Sequence, residues 1–523
     1  LWIVTEDISP TLSFYGDKTA KTPNLDVLAK QSLIYDNAFA VVGVCGPSRS
    51  SIITGMYPTS IGTMHMRTGK DIHSWGKRSY SKESNKTDLD KGKIVEYSAV
   101  IPDNVKCYTE YLRAVDYYCT NNQKTDYQFA SPVTAWDENN AKSHWRNTPK
   151  NKPFFSVFNI GTTHESQLWK KNKLPLTVNP KDVKVPPYLP DNSATRNTIA
   201  RHYSNVELMD VKVGEILNQL KKDGLYDNTI IFFYSDHGGP LPRQKREIYD
   251  SGLKVPFMIK GINGEIGRTD RMISFVDLAP TMLSLAGVQA PDYMEGKSFL
   301  GAFVDPENEY VFGSSDRFDE FTDRTRAVRT QKFLYLKNDF PEITKYKDVG
   351  YRKNIAMMPL FLQMRKKNQL NEIENKWFQT KTKEELYDCI KDPHNINNLA
   401  EKPEYQTDLA GMRTILEAHL KDRKDYGLIS ESKMIQEMWP NFEQQITINP
   451  IIQTDNNKTT ISSKTKGTSI GYIISKNANE KLDLNSKWQL YHQPLTVQKG
   501  KTIYTIAQRI GFKESDITSH KIN

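Results

Sequence analysis

The sequence predicts an α/β fold with a large mixed, mostly parallel sheet flanked by helices, then a smaller α+β region and a terminal β-rich module. Two observations support this prediction. Over roughly the first 300 residues, short apolar runs alternate with stretches of helical periodicity, which is typical of strands joined by crossover helices. The chain has 523 residues, more than a single hydrophobic core usually supports. We therefore expect one large domain with smaller units after it.

Local signals place the elements of the large domain. Residues 1–5 and 154–160 are short apolar runs and predict buried strands. The pair Thr22-Pro23 predicts a helix start, because proline is favoured at the first helical position. Residues 199–220 keep apolar side chains at helical spacing and lead into a third strand at 229–235.

The remaining segments are less regular. Residues 68–104 are rich in Lys, Ser and Asp, and residues 425–465 are rich in Asn, Gln and Thr. We interpret the first as a long surface excursion and the second as a polar connection. Residues 468–474 and 490–507 predict strands of a small terminal module.

The bulk composition excludes few classes of protein. The net charge of +9 is a mild excess over this length; it is typical of a solvated surface and also permits a polyanionic substrate. Nothing in the sequence indicates a nucleic-acid partner, and no apolar run is long enough for a membrane span. The chain opens directly on a strand, and we expect an export leader to precede it. Four cysteines are too few for a disulfide framework, and whether Cys107 pairs with Cys119 stays open.

Cys45 is the first candidate functional residue. It precedes a predicted helix at 48–54 that Pro47 can open. A group at a helix N-terminus faces unpaired backbone N–H groups, which suit an anion, and Arg49 can reach back towards it. Taken alone, the pattern favours a buried structural cysteine, with a thiolate nucleophile as the alternative.

Two acidic pairs change that interpretation. Glu6-Asp7 follows the first strand, and Asp236-His237 follows the strand at 229–235. The carboxyl ends of parallel strands meet at one edge of a sheet, where ligands bind. Oxygen donors converging there suit a hard divalent cation such as calcium. A solvated turn explains one such pair but not two.

The motif Cys45-Gly46-Pro47-Ser48-Arg49, followed by Ser51-Ile52-Ile53-Thr54-Gly55, resembles the signature of the type I sulfatases in the alkaline phosphatase superfamily. Segments 22–26, 235–238, 249–256 and 277–281 resemble further landmarks of that family in the same order, and the resemblance covers roughly residues 1–420. It implies an alkaline-phosphatase-like fold. We divide the chain into a catalytic domain at 1–335, a C-terminal subdomain at 336–440 and an accessory module at 441–523.

The resemblance also implies a site. In that family a formylglycine-generating enzyme or an anaerobic maturase oxidises the signature cysteine to formylglycine, whose hydrated aldehyde attacks sulfur. It implies that calcium is held by Glu6, Asp7, Asp236, His237 and the residue formed from Cys45. Arg49 and Lys124 correspond to residues that support the diol, and either His164 or Lys245 corresponds to the general acid. Glu6 stands where aspartate is more usual, and Asp126 where histidine is usual.

Substrate contacts are less defined. We assign His65, Arg67 and Arg243 to the substrate, with ordinary loop and helix polarity as the alternative; Arg243 or Arg246 can also exchange roles with Lys245. Residues 2–10 resemble the heparan N-sulfatase-like branch, and the terminal module resembles those of bacterial glycan-active enzymes. The implied protein is a periplasmic or secreted sulfatase of a sulfated polysaccharide, with ulvan favoured over heparan. The rivals are a phosphatase or phosphonate hydrolase, or a glycan-binding protein whose Cys45 stays unmodified.

Overall fold

The computed structural model describes residues 1–66, 68, 92–262, 264–319, 321–455 and 458–522. Within these residues an eight-stranded sheet forms the centre of the large domain, in the order β4-β3-β5-β1-β6-β7-β2-β8. Only β7 runs antiparallel to its two neighbours, so the predicted mixed and mostly parallel sheet is confirmed. The strands are β1 Trp2–Thr5, β2 Ser32–Phe39, β3 Tyr118–Asn122, β4 Glu138–Asn139, β5 Phe154–Ile160, β6 Ile231–Ser235, β7 Phe257–Lys260 and β8 Gly267–Ser274.

Helices cover both faces of this sheet. Side chains alternate along β1, so that Leu1 and Ile3 join one hydrophobic cluster while Trp2 and Val4 join the other. The first cluster contains α1 and α6, and the second contains α2, α4 and α8. The α-helices of the described residues are α1 Pro23–Ala29, α2 Cys45–Thr54, α3 Pro58–Ile61, α4 Tyr108–Ala114, α5 Gln167–Lys170, α6 Ser193–Lys222, α7 Asp250–Leu253, α8 Leu278–Leu285, α9 Met357–Lys366, α10 Glu372–Asn375, α11 Gln406–Lys421 and α12 Glu431–Met438.

A second, antiparallel sheet follows in the order β12-β11-β10-β9. Its strands are β9 Val311–Ser315, β10 Thr325–Arg329, β11 Phe333–Asn338 and β12 Glu384–Asp388. Residue 335, where we placed the end of the catalytic domain, lies within β11. The division of the chain into domains stays a prediction.

The terminal residues form two small sheets, ordered β13-β14-β17 and β16-β15-β18-β19. These strands contact the large domain: the N–H of Val133 donates to Gln508 Oε1 at 2.6 Å, and Lys106 Nζ donates to the carbonyl of Gly467 at 2.8 Å. The strands are β13 Ile451–Asp455, β14 Lys458–Ser462, β15 Ser469–Ser475, β16 Gln489–Leu490, β17 Leu495–Thr496, β18 Thr502–Gln508 and β19 Thr518–Lys521.

Three local predictions need correction. The helix predicted at 48–54 begins at Cys45, because Pro47 needs no hydrogen bond for its nitrogen in the first turn. The polar segment 425–465 contains α12, whose Met434 and Ile435 are buried. The strand predicted at 490–507 is three separate strands, β16 to β18.

Two further findings concern the cysteines and the membrane. Cys107 and Cys119 are both free and buried thiols. Among the described residues, no helix combines the length and the apolarity that a bilayer crossing requires.

Candidate active site

The two predicted acidic pairs meet at one edge of the large sheet. β1 and β6 are parallel neighbours, with Thr5 opposite Ser235, so the residues after each strand lie side by side. The backbone N–H of Asp7 donates to Asp236 Oδ1 at 3.4 Å. Asp7 has a left-handed backbone with φ of 53°, a conformation in which few non-glycine residues are stable. This turn directs both pairs into the same buried space.

Cys45 lies in that space, at the first turn of α2. Its side chain is buried, and its Sγ atom lies 3.3 Å from His237 Nε2 and 3.4 Å from Lys245 Nζ. The sulfur is thus in contact with an imidazole and an ammonium group, and it belongs to the first residue of a helix, where an anion is stabilised.

The surrounding donors fit a divalent cation. Asp7, Cys45, Asp236 and His237 each offer a ligand atom within 4.8 Å of the others, and all four are buried. Glu6, Asp7, Cys45 and His164 form an overlapping group. Buried carboxylates close to one another are costly unless cations compensate them, and oxygen donors are those that calcium prefers.

His237 has the tautomer of a metal ligand. Its Nδ1 atom lies 3.0 Å from the carbonyl oxygen of Gly238, which can only accept a hydrogen bond. Nδ1 therefore carries a proton in either protonation state, and the neutral ring has its lone pair on Nε2. In the charged ring Nε2 donates to Asp7 Oδ1 at 3.0 Å. Burial lowers the pKa of His237, but Asp236 and Asp7 outweigh it and raise that pKa to about 10.

His164 has the opposite tautomer. The backbone N–H of Ser166 donates to His164 Nδ1 at 3.2 Å, so in the neutral ring the proton is on Nε2. Nε2 lies 3.9 Å from Glu6 Oε2, inside the site. Burial and the charge of Lys245 hold the pKa of His164 well below its usual range. His164 therefore presents a neutral N–H donor to the site.

Three buried cations pair with the site carboxylates. Lys245 Nζ donates to both oxygens of Asp7 at 2.8 and 2.6 Å. Arg49 Nε donates to Asp236 Oδ2 at 3.0 Å, and Lys124 Nζ lies 3.0 Å from Glu6 Oε2. Burial opposes their charged forms, yet nearby negative groups raise the pKa of all three. The site is thus a cluster of opposite charges around Cys45.

Comparison with known proteins agrees with this geometry. A family model described as sulfatase matches residues 1–288. An ulvan-active sulfatase of Formosa agariphila is 42% identical over an alignment that covers 98% of this chain and 90% of the relative. The chain belongs to the sulfatase family. The predicted resemblance is confirmed, and the sulfatase is an enzyme that hydrolyses sulfate esters.

Two further comparisons concern the branch and the fold. A model described as the C-terminal region of N-sulphoglucosamine sulphohydrolase matches residues 243–372 of the sulfatase. A solved 2-O GAG sulfatase superposes with a TM-score of 0.56 at 19% identity, covering 80% of this chain and 91% of the other. A phosphonate monoester hydrolase of Agrobacterium radiobacter gives 0.55 at 15% identity, covering 82% and 96%. These superpositions show the fold, which the two activities share.

The residues predicted to contact substrate lie in different environments. Both terminal nitrogens of Arg243 donate to backbone carbonyls, of His394 at 2.9 Å and of Asn395 at 2.6 Å. Both terminal nitrogens are thus bound by that loop. Of residues 243, 245 and 246, it is Lys245 that has a hydrogen bond to Cys45. His65 is buried, and its Nδ1 accepts a hydrogen bond from the backbone N–H of Arg317 at 3.2 Å. Its contact with the substrate stays a prediction. Arg67 lies outside the described residues.

Sequence reasoning missed Asn159 and Asn121, which lie beside the sulfatase site. Asn159 Oδ1 accepts from Arg49 Nη1 at 2.7 Å, and Asn159 Nδ2 donates to Asn121 Oδ1 at 2.8 Å. The sequence signal that indicates Asn159 is a polar residue near the carboxyl end of the buried strand β5. Asp126, which replaces the usual histidine, is buried and lies 3.8 Å from Lys124.

Proposed function

We propose that the sulfatase removes sulfate from a sulfated polysaccharide or its oligosaccharides, with an ulvan-type glycan favoured and a heparan-like glycan as the second candidate. The single observation that carries this proposal is the identity of 42%, over almost the whole chain, to an ulvan-active sulfatase. The match of residues 243–372 to an N-sulphoglucosamine sulphohydrolase model supports the second candidate.

The proposal includes conversion of Cys45 to formylglycine by a maturation enzyme. In the hydrated aldehyde, one hydroxyl supplies the nucleophile for sulfur and the other allows sulfate to be expelled afterwards. Residue 45 is suited to this role because the start of α2 and Lys245 place donors beside its side chain. These groups stabilise an oxyanion better than they stabilise a neutral thiol.

The proposal also includes a calcium ion held by Glu6, Asp7, Asp236, His237 and residue 45. When bound, the ion supplies positive charge that neutralises sulfate oxygens in the transition state. The geometry of His237 fits this role, because the carbonyl of Gly238 holds the proton on Nδ1. Nε2 lies among the other donors and binds the ion once it has lost its proton. Glu6 Oε2 lies 3.0 Å from Lys124 Nζ. The glutamate side chain is longer than the more usual aspartate and reaches the other calcium donors from the side of Lys124.

The remaining side chains bind the sulfate and the leaving oxygen. The fixed positive charges of Arg49 and Lys124 support the diol of residue 45, and Lys245 stabilises the negative charge that develops on the sulfate. We propose His164 as the donor to the leaving oxygen, since its Nε2–H faces the site. In the complete reaction a diol oxygen bonds to sulfur, the bond between sulfur and the sugar oxygen breaks, and the sugar oxygen gains a proton. The second hydroxyl then loses its proton to form the aldehyde, the carbon–oxygen bond to the sulfate breaks, and a water molecule rehydrates the aldehyde.

The test of the reaction class is a comparison of matched aryl sulfate and aryl phosphate. We expect a strong preference for the sulfate, measured as kcat/KM. A preference for the phosphate would favour the phosphonate and phosphate hydrolases that share the fold. Sulfate release from ulvan, heparan, carrageenan and fucoidan fragments then decides the substrate, and release from heparan alone would overturn the algal assignment.

The second rival is a glycan-binding protein in which Cys45 stays a cysteine. The intact mass of the peptide around Cys45, taken from the natural host, separates the two, because formylglycine is lighter than cysteine. An unmodified peptide together with no sulfate release would favour binding without turnover.

We also propose that the protein is exported to the periplasm or secreted, since a polysaccharide substrate is too large to enter the cytoplasm intact. Cell fractionation of the natural host tests this proposal. Recovery in the cytoplasmic fraction alone would contradict it.

A further inference from the structure

Arg246 occupies a position without solvent contact beside the site. Its exposed fraction is 0%. Nη1 and Nη2 donate to the two oxygens of Glu165 at 3.0 and 2.6 Å, and Nε donates to Asp319 Oδ2 at 2.7 Å. One guanidinium therefore neutralises two buried carboxylates with its full planar fork of donors.

These contacts join the loops that carry the reactive residues. Glu165 directly follows His164, and its backbone N–H donates to Asp7 Oδ2 at 2.7 Å. Lys245 directly precedes Arg246 in the chain. The backbone N–H of Arg246 donates at 2.7 Å to the carbonyl of Gly43, two residues before Cys45. A single residue is thus tied to the loops of His164, Lys245 and Cys45.

The packing leaves these loops little freedom. A Cβ atom at Gly43 would lie 2.3 Å from the carbonyl oxygen of Glu247, so only glycine permits the close approach of the two loops. Arg246 and Asp319 both have left-handed backbones, with φ of 73° and 55°. Non-glycine residues keep such conformations only where their surroundings enforce them, and they concentrate at functional sites.

We propose that Arg246 is a positioning residue that, through Glu165 and Asp319, holds His164 and Lys245 in place on the leaving-group side of the substrate. The inference rests on the proposed function, because it needs a leaving oxygen on that side. The guanidinium of Arg246 is directed at Glu165 and Asp319, to which all three of its nitrogens donate, so it acts through these two carboxylates. Asp319 belongs to the segment between β9 and β10, so its contact with Arg246 links the second sheet to the site.

This role predicts a dependence on the leaving group. A sugar alkoxide is a poor leaving group and needs a well-placed proton donor, whereas nitrophenolate leaves without one. Displacement of a catalytic group by about 1 Å can cost roughly 100-fold in rate. Loss of the Arg246 fork should therefore lower kcat for a sugar sulfate far more than kcat for nitrophenyl sulfate, with KM little changed.

The experiment compares Arg246→Lys with Arg326→Lys, each carrying formylglycine at the level of the wild type by peptide mass. Arg326 is a matched control because it also bridges two buried carboxylates, Asp316 at 3.0 Å and Asp425 at 2.7 Å, and it contacts none of the reactive residues. For Arg246→Lys we expect the kcat ratio between sugar sulfate and nitrophenyl sulfate to fall about 100-fold. For Arg326→Lys we expect this ratio to stay at the wild-type value.

An equal loss on both substrates, or the same ratio change in both variants, would overturn the inference and leave Arg246 with a structural role. If Arg246→Lys does not fold, the same kcat ratio is measured for Asp319→Asn. This substitution keeps the shape of the side chain and removes the negative charge that Arg246 contacts. A wild-type enzyme that releases sulfate from neither substrate would refute the proposed function itself, which is a different outcome from an unchanged ratio.

Discussion

Lys245 Nζ lies 2.8 and 2.6 Å from the two carboxylate oxygens of Asp7 and 3.4 Å from Cys45 Sγ. One ammonium group therefore contacts both a predicted metal ligand and the predicted precursor of the nucleophile. Burial raises the pKa of Asp7, but Lys245 and His237 outweigh it and hold that pKa well below its usual range. Asp7 is thus an anion whose charge is shared with a fixed cation.

Replacing this lysine should slow the reaction without unfolding the protein. We expect Lys245→Met to lower kcat about 10²- to 10³-fold, the usual cost of one preorganised donor to a developing negative charge. Lys353→Met is the control, since Lys353 pairs with Asp348 at the surface. Steady-state sulfate release measures both variants, and a loss below about threefold for Lys245→Met would contradict the role.

Calcium should stabilise the folded protein through the strand-end carboxylates. At a free concentration of 100 times Kd, a ligand that binds only the folded state adds about 2.7 kcal/mol to the free energy of unfolding. We expect calcium to raise the Tm of the wild type and to have little effect on Asp236→Asn, because Asp236 belongs to the donor group. Asp182→Asn, at an exposed site, should respond like the wild type, and an equal response of Asp236→Asn would refute the ligand assignment.

A second buried pair predicts a pH dependence of stability. Arg317 Nη2 donates to Glu431 Oε1 at 2.7 Å; burial raises the pKa of Glu431, but Arg317 outweighs it and lowers that pKa from 4.5 to about 2. A lowered pKa in the folded state contributes stability above the unfolded pKa, here about 3 kcal/mol, which is lost as pH falls from 4.5 to 2.

Glu431→Gln removes this contribution. The wild type should be more stable than the variant at pH 6, and the difference should shrink below pH 4.5 in denaturant or thermal unfolding. Glu437→Gln lies on an exposed face of the same helix and should show no such trend. A difference that stays constant between pH 6 and pH 3 would contradict the assignment.

An aromatic pair beside His164 predicts a contact with the sugar. The Tyr351 ring is 5.0 Å from the Trp169 ring and 6.5 Å from the His164 ring, and Tyr351 is half-buried. We expect Tyr351→Ala to lower kcat/KM for the polysaccharide about 3- to 10-fold, as loss of an aromatic contact worth about 0.5–1.5 kcal/mol would. Nitrophenyl sulfate should be unaffected, and Tyr351→Phe should retain activity on both. Equal losses on the two substrates would place Tyr351 in packing alone.

The sequence allowed much of the sheet to be predicted, together with the convergence of the carboxylates at its edge. β1, β5 and β6 are mostly apolar, as is typical of strands covered on both faces. The acidic pairs follow β1 and β6 directly, so their convergence needed only that the two strands be parallel neighbours. The helix α2 begins at Cys45, three residues before the predicted start at 48, because Pro47 lies inside the first turn instead of preceding it.

Other parts of the site had no local signal. Arg246 lies 81 residues from Glu165 and 73 from Asp319 in the chain, and no spacing rule connects charges so far apart. Arg243 carries the same charge as Lys245, yet its φ of 60° and its contacts with His394 and Asn395 direct it away from Cys45. Such orientations depend on tertiary packing.

The central claim is that Cys45, once converted to formylglycine, carries the hydrolysis of a polysaccharide sulfate. The most direct measurement is sulfate release from ulvan oligosaccharides by the enzyme coexpressed with a maturation enzyme, with the mass of the Cys45 peptide determined on the same sample. We predict that sulfate release rises in proportion to the converted fraction and that Cys45→Ala loses roughly 10⁴-fold or more in kcat. Equal turnover by converted enzyme, unconverted enzyme and Cys45→Ala would contradict the claim.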